Sequence, residues 1–131
     1  MTQDNKKWKE ILTPEQYEIC INCGTEPPFQ NKYWNCKEEG VYVCICCKTE
    51  LFDSDDKFDS GSGWPSFTKS INEKSVSYRE DYKFGMIRVE VTCFDCGSHL
   101  GHVFDDGPAP SGKRYCINSA AMDLISIGNE N

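Results

Sequence analysis

Residues 86–96 read MIRVEVTCFDC, a strand that runs directly into a pair of cysteines. Ile87, Val89 and Val91 alternate with Arg88 and Glu90, the period-two pattern of a half-buried strand with its aliphatic face inward. Val41-Tyr42-Val43-Cys44 repeats the arrangement, a short β-branched and aromatic run leading into Cys44-Ile-Cys-Cys47. Cys44, Cys47, Cys93 and Cys96 therefore form two CxxC knuckles, each after a strand, with residues 48–92 between them. Four thiolates from two such knuckles make the closed tetrahedral site in which zinc serves a structural role. A staple across so long a loop fixes much of a small chain. The rival readings are a thioredoxin-like redox motif, which requires a βαβ context that is absent here, and free core cysteines. Cys46 lies inside the first knuckle at the wrong spacing and is read as packing.

The bulk properties narrow the class. A length of 131 residues predicts one domain spanning 1–131, with 1–10 and 125–131 expected as flexible ends. The net charge of −7 argues against nucleic acid, whose phosphates need clustered Lys and Arg. No apolar run approaches the roughly 20 residues of a membrane span, and MTQDNKKWKE lacks a hydrophobic secretory segment. A cytoplasmic monomer with no membrane partner is expected. Nine cysteines cannot all pair, and disulfides would not persist in a reducing compartment, so metal ligation or thiol chemistry is favoured.

The local signals predict a mainly β fold with a short helical N-terminus. Thr13 is placed to N-cap a helix with Pro14 at its first position, Gln16 completing a capping box, and Leu12 with Tyr17 as a hydrophobic staple. Beyond it, strands are expected at Val41–Cys44, Ser75–Tyr78, Met86–Val91, Leu100–Phe104 and Arg114–Ile117, separated by turn-rich stretches.

Three stretches carry chemistry. In the first, KRYCINSAA at 113–121, strand alternation puts Arg114, Cys116 and Asn118 on one face and Tyr115 and Ile117 in the core. A guanidinium beside a thiol favours the nucleophilic thiolate, whereas the bland reading is an inert buried cysteine. The second holds the two histidines, in His99-Leu-Gly-His102, where Gly101 permits a bulge that turns both toward one cavity. With four cysteines supplying the metal, the rings are free for acid or hydrogen-bond work, Asp106 orienting one of them; purely structural histidines are the alternative. The third is FDSGSGWPSF, 58–67, which sets Trp64 and Phe67 on a glycine-rich loop, either as core plugs or as a small apolar pocket of the kind that receives a methyl group.

These motifs, with LTPEQY and GTEPPF, resemble the B-type methionine sulfoxide reductases over nearly the whole chain. The resemblance implies two antiparallel β-sheets with a short helical N-terminus, and a structural zinc site remote from the reacting centre. It implies reduction of the R epimer of methionine sulfoxide, free or in oxidised proteins, with Cys116 as attacking thiolate and a sulfenic acid as its product. His99, His102 and Asp106 would serve the sulfoxide oxygen, Arg114 and Asn118 would tune the nucleophile, and Trp64 and Phe67 would hold the substrate. Many members carry a resolving cysteine in the GxGWPSF loop, where this chain has Ser62. Another thiol must then condense with the sulfenic acid, Cys23 first, with Cys20 and Cys36 as runners-up, and thioredoxin is the implied reductant. The alternative from another class is a non-catalytic zinc-binding β module.

Overall fold

The computed structural model describes residues 10–22, 24–82, 85 and 87–126. Cys23, Met86 and the outermost residues 1–9 and 127–131 lie outside the described residues. Helix α1 (Pro14–Cys20) begins as its sequence dictates. The Thr13 hydroxyl accepts the Gln16 N–H at 3.1 Å, and the Gln16 side chain accepts the Thr13 N–H at 2.9 Å. Leu12, Tyr17, Ile19 and Cys20 pack into the core from this end.

Among the described residues nine strands follow: β1 (Gly40–Cys44), β2 (Glu50–Asp53), β3 (Lys57–Phe58), β4 (Ser66–Phe67), β5 (Val76–Asp81), β6 (Arg88–Cys93), β7 (His99–Phe104), β8 (Arg114–Ile117) and β9 (Met122–Ser126). They form two antiparallel sheets, one of three strands in the order β2-β1-β9 and one of six in the order β3-β4-β8-β7-β6-β5. β9 pairs with β1 through Ile125 and Ser126, so the first two residues of the expected tail belong to a sheet.

The core is aromatic and lies between the sheets. Tyr42 and Phe52 of the smaller sheet meet Phe67 and Tyr115 of the larger, with Phe52 stacked on Phe67 at 4.4 Å between ring centroids. Tyr115 and Ile117 are inward, as alternation along β8 requires. β6 departs from the expected pattern. Ile87 is 71% exposed ahead of the strand and Glu90 only 4% exposed within it. Both faces of β6 are covered, one by aliphatic packing and the other by the partners that neutralise Glu90.

The knuckles tie the sheets together, because Cys44 ends β1 and Cys93 ends β6. Both turns are built alike. The N–H of Lys48 returns to Cys44 O and that of Gly97 to Cys93 O, each at 2.9 Å. Lys48 and Gly97 both adopt positive φ, 68° and 77°, to close the turn.

Candidate active site and metal centre

The Sγ atoms of Cys44, Cys47, Cys93 and Cys96 all lie within 4.8 Å of one another. Cys44 Sγ is 3.6 Å from Cys96 Sγ, and Cys47 Sγ 3.5 Å from Cys93 Sγ. A tetrahedron with metal–sulfur bonds of about 2.3 Å has edges of about 3.8 Å, so the four sulfurs fit one small thiophilic ion. Four cysteines therefore cluster as a metal-binding site, with no position left open for a substrate.

A separate cavity of about 410 Å³ is lined by Thr25, Ser62, Trp64, Arg88, Gly101, His102, Phe104, Arg114, Cys116 and Asn118. Cys116 lies in its lining, on β8 between two strands. Its ladder partner on β4 is Ser66 and on β7 is His102. Residues directly opposite in antiparallel strands project to the same face, so the imidazole of His102 and the sulfur of Cys116 share the cavity. Gly101 makes this possible. A Cβ there would stand 2.1 Å from Cys116 O and 2.9 Å from Ile117 Cα.

The bulge expected near Gly101 is present. Val91 pairs with Gly101 and Thr92 with His99, which leaves Leu100 unopposed and shifts the alternation by one residue. His99 and His102 consequently face the same side, ring centroids 5.5 Å apart. Both line an adjoining cavity of about 380 Å³ that shares Thr25, Arg88 and His102 with the first.

The ring partners differ from the expected one. His99 Nδ1 meets Glu90 Oε2 at 2.7 Å, and His102 Nε2 meets Asp81 Oδ2 at 2.9 Å. Arg79 pairs with Glu90 and Arg88 with Asp81. Asp106 instead accepts two hydrogen bonds from Arg114, at 2.9 and 3.2 Å. Its carboxylate is engaged by the guanidinium eight residues along the hairpin, so Glu90 and Asp81 take the orienting role. Glu90 is pushed up by burial, but His99 and Arg79 outweigh this and hold its carboxyl below the usual range. His102 is lowered, chiefly by burial and further by Arg88 and His99, against the pull of Asp81. It is a neutral imidazole at neutral pH.

Cys116 also departs from expectation. Arg114 does favour the thiolate, as does the Ser62 hydroxyl. Burial is larger, however, and with a contribution from the Glu26 carboxylate it leaves the thiol above its ordinary value. A thiol so placed would have to give up its proton before it could act as a nucleophile. Arg114 is held over the Phe104 ring at 4.5 Å.

Trp64 lines the cavity, its indole N–H donating to Glu26 O at 3.0 Å. Phe67 does not line it. With Ser66 opposite Cys116, the next residue of β4 points to the other face, and Phe67 is fully buried beside Phe52. Phe104, two residues beyond His102 on the same face of β7, supplies the second aromatic wall. Asn118 is buried and acts as a brace, its Nδ2 donating to Leu100 O at 3.0 Å and its Oδ1 accepting the Glu26 N–H at 3.3 Å. Glu26 in turn accepts the N–H groups of Ser119 and Ala120, locking the turn that follows the Cys116 strand. Burial raises the Glu26 carboxyl, and the backbone donors oppose that rise.

Sequence reasoning missed Glu90, Asp81, Arg88, Glu26 and Phe104. Phe104 was available from alternation along β7. Glu26 and Asp81 reach the site through pairings distant in sequence, for which no local signal exists.

A family model described as the SelR domain matches residues 12–126. The peptide methionine sulfoxide reductase MsrB of Acinetobacter baylyi is 51% identical over 124 residues, covering 95% of this chain and 89% of the relative. Its namesake in Acinetobacter baumannii matches over the same shares. The protein of that name in Pseudomonas savastanoi pv. phaseolicola is 56% identical over 120 residues, 92% of each chain. With a family match across all the described strands and more than half the aligned residues shared with such relatives, the chain belongs to the SelR domain family.

Proposed function

We infer that this chain is a peptide-methionine (R)-S-oxide reductase, a repair enzyme that returns oxidised methionine to the thioether. The observation that carries the reading is the pairing of Cys116 with His102 across β7 and β8, inside a cavity walled by Trp64 and Phe104. The aromatic walls receive the sulfoxide's methyl group and present its sulfur to Cys116. His102, neutral at rest, takes the proton of the thiol and passes it to the sulfoxide oxygen, with His99 beside it. Protonation matters because the sulfoxide sulfur is a weak electrophile until its oxygen carries a proton. The net step moves the oxygen from the substrate sulfur to Cys116: sulfoxide and thiol become thioether and sulfenic acid.

Cys23 is our resolving thiol. Its neighbours Gly24 and Thr25 line the cavities around His99, His102 and Cys116. Cys20 is buried in the core, and Cys36 lines a different cavity with Lys57 and Phe58. Attack of the Cys23 thiol on the sulfenic sulfur releases water and leaves a disulfide, which the two thiols of thioredoxin reduce. The metal is read as zinc, which supplies a crosslink between the sheets and no part of the reaction. No helix among the described residues is long and apolar enough to cross a membrane. The thiol-rich composition supports a reducing, cytoplasmic setting, and we read the chain as a single domain acting as a monomer on free or protein-bound sulfoxide.

Activity on the separated sulfoxide epimers tests the assignment. Wild-type protein with a dithiol reductant should consume the R epimer and spare the S, and Cys116→Ser should consume neither while keeping its metal. Turnover by Cys116→Ser would end the reading.

A further inference from the structure

A chain of three hydroxyls lies behind the reacting sulfur. Ser60 Oγ is 2.8 Å from both Ser62 Oγ and Ser66 Oγ, and Ser66 donates to Trp64 O at 3.2 Å. Ser66 is fully buried opposite Cys116 in the ladder, and Ser62 lines the Cys116 cavity. Each hydroxyl owns one proton, which fixes the direction of the chain. With the proton of Ser66 on Trp64 O, Ser60 gives its proton to Ser66 and Ser62 gives its own to Ser60. The Ser62 oxygen then turns a lone pair to the cavity, the correct partner for a thiol S–H. When the sulfur loses its proton the relay turns over, Ser66 giving to Ser60, Ser60 to Ser62 and Ser62 to the thiolate, so that no pair of hydroxyl oxygens 2.8 Å apart is left without a proton between them. Ser60 Oγ is not left without a donor, because it also accepts the Ser62 N–H at 3.2 Å. The Ser62 oxygen is itself held by the Trp64 N–H at 3.4 Å.

We propose that Ser62 is a positioning residue that serves the Cys116 sulfur in both protonation states, accepting from the thiol and donating to the thiolate. It thereby sets how readily Cys116 becomes a nucleophile. The inference rests on the reading of Cys116 as the attacking group. Among the described residues, the charged and titratable groups facing that sulfur are Arg114 from its own strand, His102 from β7, Arg88 from β6 and Glu26 from the loop after α1. Ser62 is the uncharged contributor, and its removal leaves all four in place.

The test is the pH dependence of Cys116 alkylation by iodoacetamide in the full, metal-loaded chain, with peptide mass mapping to separate Cys116 from the other cysteines. A hydrogen bond to a charged group supports a shift of about one pH unit. Ser62→Ala should move the half-reaction pH upward by that amount, a roughly tenfold slower rate at fixed neutral pH. Ser62→Thr, which keeps the hydroxyl, should restore the wild-type profile. Coincident profiles for wild type and Ser62→Ala would overturn the inference, as would equal displacement of the Ala and Thr variants. Sulfoxide turnover by Cys116→Ser is the separate control. If it persists, the reading of Cys116 falls and takes this proposal with it; if it is lost while the Ser62→Ala profile is unshifted, only the role of Ser62 falls.

Discussion

Replacing Gly101 with alanine should disable the site without touching any reacting group. The added Cβ would arrive 2.1 Å from the carbonyl oxygen of Cys116, where real Cβ contacts essentially never fall below 3.0 Å. β7 and β8 must therefore part by about 1 Å at the rung that sets His102 against Cys116. Both contacts are backbone atoms, Cys116 O and Ile117 Cα, so no side chain can swing aside to relieve them. Overpacking of this kind costs about 1–3 kcal/mol, and for a chain of this size about 2 kcal/mol lowers the melting temperature by about 8 °C. A displacement of about 1 Å between reacting groups costs about a hundredfold in rate. The expected Gly101→Ala protein is folded at 20 °C, melts several degrees early and loses about two orders of magnitude in kcat/KM for the R sulfoxide. Thermal melting followed by circular dichroism, with steady-state kinetics on the same preparation, measures both. Near-wild-type kcat/KM in the folded variant would refute the argument that the close approach of these strands sets the catalytic geometry.

Four other outcomes follow from the same geometry. Metal analysis should find one zinc per chain, and its removal by a strong chelator should abolish cooperative melting; a metal-free chain with unchanged melting would contradict the staple. Phe67→Ala should cost about 3–5 kcal/mol of stability, since the ring is fully buried between the sheets, and an effect on KM with stability unchanged would restore Phe67 to the substrate pocket. Trp64→Ala should do the opposite, raising KM while shifting the melting temperature little, and an unchanged KM would remove the indole from the binding wall. Glu90 is ionised more readily in the folded chain, so its stabilisation is complete above its unfolded pKa of about 4.3 and is lost as pH falls through the lower folded value. Glu90→Gln should therefore flatten the fall in melting temperature below about pH 4.5, and superimposable wild-type and variant curves would count against it.

The legible parts of this molecule were those written in local patterns. The capping box of α1, the inward Tyr115 and Ile117, the paired knuckles and the bulge between the histidines all follow from spacing within a few residues. The errors of side-chain placement share one cause, which is that pairing across strands decides orientation. Phe67 was read as pocket lining because it follows Trp64 in a glycine-rich loop, but the register of Ser66 against Cys116 turns it inward. Glu90 was read as a solvent residue because it is charged, yet His99 and Arg79 arrive from other strands to neutralise it. Asp106 stands close to the histidines in sequence, whereas the hairpin delivers it to Arg114. The charge of Arg114 was visible beside Cys116, but the burial that outweighs it was not. The two-residue strands β3 and β4 carry too few residues for alternation to register and depend on their neighbours for form.

The central claim is that the Cys116 sulfur takes the oxygen from the sulfoxide. Mass mapping of all nine cysteines after a single turnover of the R sulfoxide without reductant tests it directly. One methionine should form per chain, with oxidation confined to Cys116 and held either as sulfenic acid or as a disulfide to Cys23. Methionine formed with Cys116 still a free thiol would contradict it.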